Sequence, residues 1–65
     1  MICFIITADC FYLTDAEADI AEAKWTEEID LATPFKSVKA AERAIARWDE
    51  FYEVDLIAQI VRHEL

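Results

Sequence analysis

The run TPFKSVKAAERAIARWDEFY, Thr33 to Tyr52, decides how this chain folds. Val38, Ala41, Ile45, Trp48 and Tyr52 recur three or four residues apart, with Ala44 and Phe51 beside them, and that spacing predicts an amphipathic helix over about 37–51. Ser37 is its natural N-cap, because a serine hydroxyl accepts a hydrogen bond from an orphan amide of the first turn. Phe35, just upstream, is placed to pack back against that turn. Lys39, Arg43 and Arg47 follow one another in four-residue steps on the opposite side and mark the solvated face.

Working outward, the segments on either side read as strands. Ile2 to Thr7 is a short apolar run rich in β-branched and aromatic residues, which suits a strand covered on at least one face. Phe11 to Leu13 either extends that strand past an irregularity or forms an apolar loop. Trp25 to Leu31 alternates partly, with Glu27 as the misfit, and reads as a second strand. Val54 to His63 is the third, and its apolar residues on both faces place it inside a sheet or against a partner. Between the first two lies Thr14-Asp15-Ala16-Glu17, a capping-box pattern followed by alanines and acids, which predicts a short acidic helix over about 15–23. The expected fold is α+β: a three-stranded sheet packed by one long helix, with the acidic helix at an edge, all in a single domain spanning residues 1–65. The chain contains no glycine. Tight hairpin turns want positive φ, so two-residue hairpins are not expected.

Size and charge bound the function. A chain of 65 residues buries only a thin core, yet a 57% apolar composition excludes the disordered class. The net charge of −8 argues against direct binding to nucleic acid or an anionic membrane and favours a basic partner. Residues 9–30 carry a net of −7, residues 31–52 a net of +1 and residues 53–65 a net of −2. Almost all the excess therefore sits in one segment.

No chemistry-bearing motif stands out. Cys3 and Cys10 lack metal-ligand spacing, and two thiols are too few for a small secreted disulfide scaffold, so a reducing cytoplasm is expected. Cys3 within a buried strand behaves as a small hydrophobe. The apolar opening Met1 to Ile6 is too short for a signal peptide or a membrane span. His63 has no nucleophile placed to use it, and there is no glycine-rich phosphate loop. Asp9, Asp15 and Glu17 lack the turn of a calcium loop. Trp25 and Trp48 are expected in the core. Neither catalysis nor a cofactor nor a metal is expected.

The acidic segment is the remaining candidate. On an α-helix, Asp15, Asp19 and Glu22 would share one face at about 5–6 Å along the axis. Continued by Glu27, Glu28 and Asp30, and joined by Glu17, such a row could stand in for a track of DNA phosphates. The plainer account is a solvated acidic face that keeps a small, apolar-rich protein soluble.

The stretch Thr33 to Ile45, followed by a terminal strand, resembles the helix-and-strand unit of many small phage-encoded proteins. Among these it is similar to the anti-CRISPR inhibitors of type I effector complexes, several of which are acidic α/β proteins of similar length. The resemblance covers about half the chain. It implies a monomeric phage protein acting in the host bacterial cytoplasm, which inhibits a CRISPR surveillance complex (Cascade). Its acidic surface, Asp15, Glu17, Asp19, Glu22, Glu27, Glu28 and Asp30, would occupy the basic groove that otherwise holds target DNA near the PAM-reading subunit. The alternative is a small regulatory or antitoxin-like interaction module, or a homodimer that pairs strands or buries a second apolar sheet face.

Overall fold

The computed structural model describes residues 1–16 and 20–64. Its order is β1 (Ile2–Ala8), β2 (Phe11–Thr14), a 3₁₀ turn (Ile20–Glu22), β3 (Lys24–Thr26), a second 3₁₀ turn (Ile29–Leu31), α1 (Val38–Tyr52) and β4 (Gln59–Glu64). The strands form one antiparallel sheet in the order β3-β2-β1-β4. The fold is α+β, with four strands where three were expected, because Phe11–Thr14 forms a strand of its own.

β1 and β2 are joined by a two-residue turn, Asp9-Cys10, set by the pairs Thr7 with Tyr12 and Ala8 with Phe11. The expectation against such turns is overturned. Asp9 adopts φ 57°. Aspartate tolerates the left-handed region better than most residues, so the turn closes without glycine. The Thr7 hydroxyl adds a bond to the Phe11 carbonyl at 2.8 Å.

Beyond those two pairs the hairpin splays, and the chain at Thr33 to Phe35 enters the gap. On one side the Thr33 amide donates to the Leu13 carbonyl at 2.9 Å. On the other, Phe35 and Phe4 exchange both amide-to-carbonyl bonds, each at 2.9 Å. The passage carries the chain from one face of the sheet to the other. Ile29 and Ala32, before it, pack on Cys3 and Ile5; α1, after it, packs on Ile6 and Leu13 through Ala41 and Ala44. The sheet is thus covered on both faces, by α1 on one and by the second 3₁₀ turn on the other. The side-chain parity of β1 agrees: Phe4 and Ile6 face α1, while Cys3 and Ile5 face away. Cys3 is buried and in no disulfide.

α1 starts as expected. Ser37 is extended, and its hydroxyl accepts the Ala40 amide at 3.1 Å. Its buried face is narrower than the apolar stripe suggested: Ala41 and Ala44 are fully buried, Ile45 and Trp48 are half-buried, and Val38 and Phe51 are exposed. Two buried alanines let the helix axis lie close to the sheet. At its far end Glu53 takes φ 53°, and the Val54 amide closes onto the Asp49 carbonyl at 3.1 Å, a left-handed helix stop usually made by glycine.

Three further expectations are corrected. The strand over Trp25–Leu31 is only Lys24–Thr26, because the Thr26 hydroxyl accepts the Glu28 amide at 3.2 Å and turns the chain off the sheet. Ile29–Leu31 is then a 3₁₀ turn. The strand over Val54–His63 begins only at Gln59 and lies at the sheet edge, paired with β1 alone among the described strands, instead of inside it. The short helix over 15–23 is present only as the 3₁₀ turn Ile20–Glu22, with residues 17–19 outside the described residues. Asp15 is left-handed at φ 57° and so cannot begin an α-helix. The Thr14 hydroxyl donates to the Leu31 carbonyl instead of capping a helix. Even so, Ala16, Ile20 and Ala23 all reach the main core.

Candidate functional site: the acidic edge

The described acids of the 15–30 segment lie around β3, the edge strand opposite β4. The cross-strand pair of Thr14 with Lys24 sets the geometry. Asp15 follows Thr14 directly, Glu22 stands two residues before Lys24, and the Thr14 hydroxyl holds the carbonyl of Leu31, next to Asp30. These three acids therefore attach at one end of β3. Glu27 and Glu28 leave its other end, beyond the pair of Thr26 with Tyr12. Asp15, Glu22, Glu27, Glu28 and Asp30 are all exposed. Glu17 and Asp19 lie outside the described residues.

The carboxylates on this edge are brought together by a mechanism different from the one the spacing suggested. Asp15 and Glu22 do not share one α-helix, since Asp15 is left-handed and Glu22 belongs to a 3₁₀ turn; Asp19 lies outside the described residues. Instead the chain loops around a three-residue strand and leaves acids at both of its ends. Backbone hydrogen bonding holds the loops: the Ala16 amide donates to the buried Thr33 hydroxyl at 3.1 Å, and the Leu31 amide donates to the Glu28 carbonyl at 3.1 Å. Lys24 is the single base within the segment, and it is exposed among them.

The cations gather elsewhere. Lys36, Arg43 and Arg47 line a shallow groove between α1 and the Ala16 and Thr33–Phe35 backbone. The groove reaches the acidic edge at Ala16, the residue after Asp15, so cations and carboxylates meet there.

The remaining sequence candidates are placed plainly. Trp25 and Trp48 are half-buried and meet edge to face at 5.6 Å between ring centroids, so they pack on the core without being enclosed by it. His63 is half-buried on β4, opposite Cys3. Among the described residues, no three His, Cys, Asp or Glu side chains gather as metal ligands, and no described helix is long and apolar enough to cross a membrane. Sequence reasoning passed over one surface, the apolar side chains that α1 and the following loop leave exposed. Its signal was present as Phe51, Val54 and Ile57 interleaved with acids. Comparison with protein-family models, curated proteins and solved structures gave no match.

Proposed function

We propose that this protein is a non-enzymatic inhibitor that offers its β3 edge as a substitute for nucleic acid, taking the basic DNA-binding groove of a type I CRISPR effector as its target. One observation carries the reading: five exposed carboxylates, Asp15, Glu22, Glu27, Glu28 and Asp30, are fastened around one short edge strand with a single lysine among them. Charge crowded onto one side of a small rigid scaffold steers association with a positive groove and sets the register of docking. Glu17 and Asp19 belong to the same stretch of sequence and extend the proposed contact surface.

The test is charge reversal. Lysine at Glu27, Glu28 and Asp30, or at Asp15, Asp19 and Glu22, is expected to abolish binding to the purified effector and restore its binding of target DNA. The far-ultraviolet circular dichroism should be unchanged, since the five described acids among them are exposed. Binding by the wild type should weaken steeply between low and high salt. Full inhibition by both triple variants would remove the acidic edge from the mechanism.

A homodimeric module is the second reading, and the open edge of β4 favours it. A six-residue strand with one unpaired side can pair with its copy. Light scattering separates the two, since a strand-paired dimer persists at high salt and an acidic decoy stays monomeric.

A further inference from the structure

The end of the molecule where the Asp9-Cys10 turn meets the loop after α1 carries an apolar surface that borders β3 through Trp25 and includes none of the five acids of the acidic edge. An open hollow of approximately 340 Å³ there is lined by Ala8, Asp9, Phe11, Trp25 and Leu56. A second, of approximately 240 Å³, shares Ala8 and Asp9 and is lined by Ile57 as well. The two are neighbours, and Ile57, on the wall of the smaller one, is 91% exposed. Phe11 is also exposed at 40%. Trp25, the aromatic wall of the larger hollow, is held by its neighbours: it packs on Trp48, which packs on Tyr52 at 4.2 Å between ring centroids. A pre-ordered aromatic platform loses little conformational entropy on binding, and such residues dominate interface energetics.

Charge identifies the occupant. Residues 48–61 contain four acids, Asp49, Glu50, Glu53 and Asp55, and no base. Asp9 lines both hollows, and Asp55 adjoins Leu56, which lines the larger. The C-terminal end of α1 points its partial negative charge to the same side. A symmetric contact with a second copy would set Asp9 and Asp55 against like charges, and an anionic lipid surface would be repelled in the same way. A basic segment is attracted.

We propose that this surface is a docking socket for a basic protein segment, which places an aliphatic or aromatic side chain in the hollow beside Ile57 and flanking Lys or Arg side chains on Asp9 and Asp55. The surface adjoins the β3 edge at Trp25 but uses different acids, Asp9 and Asp55, so its binding is tested apart from the proposed inhibition.

The probe is a displayed library of random dodecapeptides, selected against the intact protein. Enriched sequences are expected to carry Leu, Met, Phe or Trp flanked by Lys or Arg, and to shift the amide resonances of Ala8, Phe11, Leu56 and Ile57. Ile57→Ser and the pair Asp9→Lys with Asp55→Lys should each weaken the selected peptides by about tenfold or more. Ile57 is almost wholly exposed, so its variant keeps the fold, which circular dichroism checks. Lysine at Glu27, Glu28 and Asp30 should leave peptide binding within about twofold. The proposal is overturned by failure to enrich any sequence, by enrichment of acidic or uncharged peptides, by binding indifferent to the Ile57 variant, or by a dimer that Ile57→Ser dissociates.

Discussion

The Asp49 carboxylate accepts the Leu56 amide at 2.8 Å, and so the last turn of α1 holds the loop that leads to β4. Between Glu53 and Ala58 the chain belongs to no regular element. That charge-assisted bond, together with the Val54 amide on the Asp49 carbonyl, ties its first half to the helix. Asp49→Ala should cost about 1–2 kcal/mol, read from urea unfolding, and speed amide exchange at Leu56. Asp49→Asn, which keeps an acceptor, should lose less.

Glu53 occupies the left-handed position that ends α1, where its Cβ is crowded and its charge adds to the negative end of the helix dipole. Both effects point the same way. Glu53→Gly is expected to stabilise the fold by roughly 1 kcal/mol, which in a domain of this size raises Tm by about 4–8 °C. A lower Tm would show that the glutamate makes a compensating contact.

Thr33 is the most enclosed polar side chain described, 3% exposed, and its hydroxyl receives the buried Ala16 amide. Thr33→Val keeps the shape and removes the acceptor. The orphaned amide should cost about 1–3 kcal/mol, while Thr33→Ser should retain most of the bond. Denaturant midpoints of the two variants decide the matter.

Ala44 is fully buried where α1 crosses the sheet. Leucine there has no room, and Ala44→Leu should destabilise by about 1–3 kcal/mol through overpacking. Ala46, on the same helix but exposed, should accept leucine with a change of less than about 0.5 kcal/mol. Thermal denaturation of the pair compares the two faces directly.

The helix was legible because its signals were local and redundant: a 3.6-residue apolar period and a serine whose only neighbours could use a cap. β1 was legible for a similar reason, as an unbroken apolar run. The hairpin is not legible because the absence of glycine argues against tight turns, whereas Asp9, Asp15 and Glu53 themselves take left-handed positions. The end of β3 depends on one threonine hydroxyl turning back on Glu28, and a hydrogen bond of that kind has no hydrophobic period to betray it. The acidic segment was legible as exposed charge. Its arrangement was not, since helical spacing projects a row that the left-handed Asp15 prevents. The surface around Ile57 is not legible because a strand over Val54 to His63 puts Ile57 on a sheet face, inside the sheet or against a partner, whereas residues 53–58 belong to no regular element.

The passage of Thr33 to Phe35 between the splayed strands makes the two covering layers of the sheet mechanically one piece. The turn under Cys3 and the helix over Ile6 hang from opposite ends of the same short tether, clamped to Leu13 on one side and Phe4 on the other. Neither layer can peel away without loading that tether, and the helix cannot seat until the tether has been threaded. A protein with so thin an interior should therefore open as a unit, with the slowest amide exchange at Phe4 and Phe35.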